Sequence, residues 1–65
     1  MEYTNSQAKE AIEEHIHNRR DRIILSARLI DGMTFEQIAE LVDMSPRQVR
    51  TIVHKCEEVL FKHFR

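Results

Sequence analysis

One helix-start signal occurs four times in this chain of 65 residues. Each time, a residue with a side-chain oxygen is followed three positions later by Gln or Asp, and the pairs are Thr4 with Gln7, Asn18 with Asp21, Thr34 with Gln37, and Ser45 with Gln48. In a capping box, the two residues bind each other's backbone N–H groups through their side chains. The signals predict helices at about residues 5–17, 19–31, 35–43 and 46–64.

Apolar residues recur at helical spacing rather than at the alternating spacing of strands. The segment from Ile23 to Ile30 is apolar almost all round, which predicts a central buried helix. The single Gly, Gly32, suits the left-handed end of that helix, and the single Pro, Pro46, suits the first position of the last helix. The sequence therefore predicts an all-α fold in a single small domain.

The other three helices each have an apolar stripe that should face the core. We expect the inward positions to be Ala8, Ala11, Ile12, His15 and Ile16 in the first helix, Ile38 and Val42 in the third, and Val49, Ile52, Val53, Cys56, Val59, Leu60 and Phe64 in the last. The other apolar positions of the third helix are Phe35, Ala39 and Leu41.

Charge is distributed unevenly along the chain, whose formal net charge is −1. Residues 1–17 carry a net −3 and residues 46–65 a net +3, so a nucleic-acid partner would be met by the last helix. There is no apolar run of about 20 residues and no charged-then-apolar leader, and the single Cys fits a reducing compartment. We expect a soluble, unprocessed, cytoplasmic protein without a membrane partner.

Residues 35–54 fit the general template of a helix-turn-helix. Ala39 is a small residue where the two helices should cross most closely, and the turn is too short for a helical hairpin. The turn position that usually holds Gly, because it needs a positive φ, holds Asp43. Asp tolerates that conformation at a modest cost.

The outer face of the last helix carries the chemistry expected of a recognition helix. Arg can bind guanine through two hydrogen bonds, Gln can bind adenine in the same way, Thr offers a methyl or a hydroxyl group, and Lys neutralises phosphate. Its first turns present Arg47, Arg50, Thr51 and His54, with Gln48 and Lys55 on the flanks. The acidic pair Glu57 and Glu58 follows later.

The stretches LIDGMTFEQIAE and MSPRQVRTI, with the basic and apolar continuation of the last helix, resemble region 4 of primary-type bacterial sigma factors, over about residues 18–65. The resemblance implies a small four-helix helix-turn-helix domain that reads promoter DNA. The chain looks more like the short sigma-like proteins of phages and mobile elements than like a full sigma factor. The resemblance also implies a division into an acidic N-terminal helix, 1–17, packed on a DNA-binding domain, 18–65. By this resemblance the positions that meet bases or phosphates are Arg47, Arg50, Thr51 and Lys55, and those near the DNA backbone are Thr34 and Phe35.

Metal binding and catalysis receive no support from the sequence. His15 and His17 point to different faces of a helix, and Cys56 falls on the core stripe, so we expect no metal site and no cofactor. The carboxylates are scattered, no nucleophile adjoins a base and there is no Gly-rich phosphate loop, so we expect no enzyme activity.

Two functions remain. The first is a sequence-specific regulator of transcription that binds double-stranded DNA with the helix from Pro46 in the major groove. The second is a protein-interaction module for RNA polymerase or an anti-sigma-type partner, which the near-neutral overall charge keeps open. The small size leaves a homodimer or a larger complex open as well.

Overall fold

The computed structural model describes residues 4–63, except for the side chain of His63. Four helices follow one another in this part of the chain: α1 (Asn5–His15), α2 (Arg19–Leu29), α3 (Phe35–Val42) and α4 (Pro46–His63). No strand occurs among these residues, so the expected all-α fold is confirmed. Our expectation that Phe64 faces the core concerns a residue outside the described range.

Local hydrogen bonds begin the helices at the predicted residues. Thr4 and Gln7 form a complete capping box, with the Gln7 N–H 3.2 Å from Thr4 Oγ1 and the Thr4 N–H 2.9 Å from Gln7 Oε1. The other complete boxes join Thr34 to Gln37 and Ser45 to Gln48.

The expected reciprocal bond at the start of α2 is absent. The Asp21 N–H donates to Asn18 Oδ1 at 3.2 Å, but the Asp21 side chain does not return to the Asn18 N–H. Asp is one methylene shorter than Gln, so its carboxylate reaches less far back along the helix. The cap of α2 is therefore a single hydrogen bond.

The ends of α1 and α2 come two residues before the predicted ends. Past α1, Arg22 captures two backbone carbonyl groups: its Nε donates to the Ile16 carbonyl, and its Nη2 donates to the Glu13 carbonyl at 2.7 Å. These bonds satisfy acceptors that a helix end leaves without partners. Past α2, Gly32 has a φ of 68°, as expected for a left-handed stop.

The core lies around α2, which contacts each of the other three helices. Its residues Ile24 and Leu25 are fully buried, in agreement with a central position. They pack within a cluster that joins all four helices and contains Ala11, Ile12, Ile16, Ile24, Leu25, Ala27, Ile38, Ala39, Val49, Val53, Cys56 and Leu60.

The exposed apolar residues include Ile23, Leu41 and Val59, and two of these three were predicted to be buried. Val59 and Ile23 are each 44% exposed, although Val59 was expected to face inward and Ile23 lies on the helix expected to be apolar almost all round. Leu41, an apolar position of α3, is 60% exposed. Each helix residue turns by about 100°, so an apolar residue at the edge of a wide stripe can point away from the packed side. The prediction for Val59 was therefore wrong, and the face of α2 that carries Ile23 is less buried than predicted.

A tight turn joins α3 to α4. Asp43 has φ 56° and ψ 50°, the left-handed conformation that the template requires. The N–H groups of Asp43 and Met44 both donate to the carbonyl of Ala39, the second at 2.9 Å. The turn thus closes α3 with its own backbone and starts α4 three residues later at Pro46.

Candidate nucleic-acid interface

The first turns of α4 expose every residue that the sequence predicted for DNA contact on that helix. The opposite face anchors the helix, because Val49 and Val53 are fully buried. The exposed residues are Arg47, Gln48, Arg50, Thr51, His54 and Lys55. These side chains therefore form one solvent-facing surface on a helix that is fixed from behind.

The charge of this surface is positive along α4. Arg47, Arg50 and Lys55 are exposed, and no acidic residue occurs in α4 before Glu57. Neighbouring α3 is different, because Glu36 and Glu40 are both exposed there. An anionic partner would accordingly be attracted to α4 rather than to α3.

Phe35 connects this surface to the rest of the domain. The ring is half-buried at the start of α3, and the guanidinium carbon of Arg50 lies 5.4 Å from its centroid. A second guanidinium, that of Arg28 in α2, lies 4.4 Å from the same centroid. Arg28 also donates a hydrogen bond of 3.0 Å to the carbonyl of Met33. Phe35 and Arg50, two of the predicted site residues, are thus in contact.

Some of the predicted DNA-binding groups already have partners within the protein. The Oε1 atom of Gln48 accepts hydrogen bonds from the N–H and the hydroxyl of Ser45, at 3.1 and 3.2 Å. A two-bond contact from Gln48 to adenine would compete with this cap, whereas its NH₂ group could still donate. The Thr51 hydroxyl donates to the Arg47 carbonyl at 3.1 Å, which leaves its methyl group and oxygen lone pairs available.

The hydroxyl of Thr34 is also engaged, since it accepts the Gln37 N–H at 3.1 Å. Thr34 itself is exposed at the start of α3, next to Phe35. Its hydroxyl oxygen caps α3, so the side chain that was expected near a DNA backbone already accepts one hydrogen bond within the protein.

The structure gives different roles to two arginines of α2. Sequence reasoning did not single out Arg28, and only its place in the last turn of α2, close to Gly32, could have drawn attention to it. Arg22 lies among the basic residues at the start of α2, but its side chain is committed to the end of α1. Arg19 and Arg20 remain exposed beside it.

Cys56 is a core residue. Burial raises the pKa of its thiol, the negative charge of Asp21 raises it further, and Lys55 opposes the change. The thiol is therefore held in its protonated form, which is a poor metal ligand. In the described part of the chain, no three His, Cys, Asp or Glu residues are grouped so that they could hold a metal ion. None of the helices there is long and apolar enough to span a membrane.

Comparison with known families identifies the family to which the chain belongs. The family model for sigma-70, region 4, matches residues 18–55, which is more than half of the chain. The matched range contains α2, α3 and the first part of α4, and so the whole exposed surface described above. Curated proteins and solved structures gave no match.

Proposed function

The chain belongs to the sigma-70 region 4 family of DNA-binding helix-turn-helix domains, and we propose that it regulates transcription by binding a specific sequence of double-stranded DNA. In this proposal α4 enters the major groove with its first turns. The observation that carries it is the surface of exposed basic and polar side chains on α4, fixed from behind by buried valines and free of acidic residues before Glu57.

The chemistry of each side chain determines which part of the DNA it contacts. Arg47 and Arg50 read base edges, because a guanidinium can form two hydrogen bonds with guanine. Lys55 binds phosphate, and Gln48 donates from its NH₂ group while its oxygen keeps the cap. The remaining contacts are made by Thr51 and His54, and Thr34 and Phe35 lie near the DNA backbone.

The N-terminal segment lies outside this interface and contributes to the packing of the domain. We assign residues 1–17 to an acidic N-terminal segment whose helix α1 packs on the DNA-binding domain of residues 18–65. The acidic side chains Glu10, Glu13 and Glu14 are exposed, and α1 is in contact with α2 and α4. The segment completes the core without lending positive charge to the interface.

Selection from a random duplex pool tests the proposal. The domain should enrich one sequence, and a duplex of the same composition with that sequence scrambled should bind much more weakly. Arg47→Ala and Arg50→Ala should each lower affinity for the selected duplex by about 1–3 kcal/mol with little change in melting temperature.

Lys62→Ala is the matched control, because Lys62 is an exposed cation at the far end of the same helix. It should bind like the parent. No enrichment of any sequence, or unchanged binding by both arginine variants, would refute the proposal.

A second candidate function is binding to RNA polymerase, which is an interaction of this family. The observation that favours it is an apolar groove of about 520 Å³ between α1, α2 and α3, lined in part by the exposed Ile23 and Leu41. Leu41→Glu should abolish co-purification with polymerase in high salt and leave duplex binding intact. Retained co-purification would exclude this groove as the polymerase contact.

A further inference from the structure

We infer that Phe35 is a positioning residue for Arg50, so that the ring holds the guanidinium in the place from which it meets DNA. The inference rests on the proposed function, and it assigns to Phe35 an effect on DNA binding that is exerted through Arg50. It starts from the contact between the Arg50 guanidinium and the Phe35 ring, at 5.4 Å from the centroid.

Arg50 has little else to hold it. In the part of the chain with described side chains, the Arg50 side chain makes no hydrogen bond and no ion pair. An exposed arginine samples many rotamers, and ordering them on binding costs affinity. Contact with a ring restrains the side chain before DNA arrives, because the face of the ring attracts a cation.

The ring itself is fixed on several sides. Phe35 is half-buried against the core, and it directly follows the cap residue Thr34, which sets the start of α3. The Arg28 guanidinium lies closer to the ring than that of Arg50, at 4.4 Å. Arg28 is in turn held by its hydrogen bond to the Met33 carbonyl. The platform for Arg50 is therefore built from α2, the loop after it and α3.

Two other roles for Phe35 would give different results. A ring that only filled the core would affect all DNA contacts alike, and a ring that touched DNA directly would contribute with or without Arg50. A positioning ring contributes only while Arg50 is present. A double-mutant cycle on binding separates these cases, since it measures whether two residues act together.

The experiment measures affinity for the selected duplex in three backgrounds: parent, Arg50→Ala and Arg47→Ala. Phe35→Leu should weaken binding about two- to fivefold in the parent, the range expected of an exposed cation–π contact. The same loss should appear in the Arg47→Ala background, and no loss in the Arg50→Ala background. Phe35→Tyr keeps the ring and should bind like the parent.

The free protein gives an independent readout by NMR. The δ-methylene protons of Arg50 should be shifted upfield by the ring in the parent and in Phe35→Tyr, and they should lose that shift in Phe35→Leu. Thermal melts of all variants show that each is folded at the temperature of the binding assay.

The outcomes are distinct. Equal losses from Phe35→Leu in the Arg50→Ala and Arg47→Ala backgrounds, or no ring-induced shift in the parent, would overturn the inference while duplex binding stood. A parent domain that bound no duplex at all would overturn the proposed function, and the inference would fall with it.

Discussion

Asp43 adopts a backbone conformation that most L-amino acids avoid. Its φ of 56° and ψ of 50° close α3, and the N–H groups of Asp43 and Met44 both return to Ala39. This conformation is strained for residues with a Cβ. The strain is smaller for Asp than for most of them, because its short side chain can form local hydrogen bonds. Part of the conformational strain at this turn therefore remains in the folded domain.

Replacing Asp43 by Gly should stabilise the domain, because Gly adopts positive φ without strain. We expect Asp43→Gly to raise the free energy of unfolding by up to about 1 kcal/mol, which raises the melting temperature by several degrees in a domain of this size. Urea denaturation followed by circular dichroism measures the change. Asp43→Ala is the control and should lower stability, and a Gly variant less stable than the parent would contradict the argument.

Single residues differ in how far the sequence alone could predict them. The positive φ of Asp43 followed from the motif, because the template fixes that position. The roles of Arg22 and Arg28 could not be predicted, since they depend on which backbone carbonyl or ring lies nearby after the helices pack. An arginine near a helix end looks the same in sequence whether it clamps a neighbouring helix or faces solvent.

At the scale of the helices, the starts were predicted well and the buried faces less well. A capping box is complete within four residues, so Thr34 and Gln37 show it in the sequence as clearly as in the structure. A buried face depends on where neighbouring helices lie. Leu41 has the spacing of a core residue, but it faces a groove that α1 and α2 leave open.

We expect α3 and α4 to cross at the small side chain of Ala39. Ala39 is 5% exposed and belongs to the core cluster, and its carbonyl closes the turn. Ala39→Leu should destabilise the domain by roughly 1–3 kcal/mol or more, because added methylenes force packed helices apart. The control is Glu40→Leu, which adds the same side chain at an exposed neighbour. Comparing the melting temperatures of the two variants isolates the effect of the added methylenes at the buried position. Equal melting temperatures for the two variants would place the crossing elsewhere.

The attachment of α1 depends on Arg22. Its guanidinium donates to the carbonyls of Glu13 and Ile16, and hydrogen bonds from charged donors contribute about 1.5–3 kcal/mol each. Arg22→Ala should therefore loosen α1 first, and hydrogen exchange should show faster exchange of the α1 amides than of those in α3. Arg19→Ala, at an exposed neighbour, should leave exchange unchanged. Unchanged protection of α1 in Arg22→Ala would show that apolar packing alone holds this helix.

At the scale of the whole molecule, the net charge of −1 hides a local excess of positive charge. The exposed cations of the interface are Arg47, Arg50 and Lys55 in α4. Arg19 and Arg20 at the start of α2 are exposed as well, with Arg20 Nε 3.7 Å from Asp21 Oδ1, whereas Arg22 is occupied. If about four of them meet phosphates, the logarithm of the binding constant should fall against the logarithm of salt concentration with a slope near −3 to −4.

Titrating duplex binding at several salt concentrations measures this slope. Lys55→Ala should make it shallower by about 1, because Lys55 is assigned to phosphate, and Lys62→Ala should leave it unchanged. A flat response in the parent would argue that the partner of this domain is a protein.

The three complete capping boxes also bear on how the chain reaches its fold. Each one joins residues only three positions apart, so it can form before any contact between helices exists. The unfavourable first turn of a helix is thereby assisted locally, at the points where α1, α3 and α4 begin. Folding then requires little long-range loop closure. Small helical domains that are rich in local contacts fold in microseconds to milliseconds. Speed of assembly is thus encoded in the side chains that mark the helix starts.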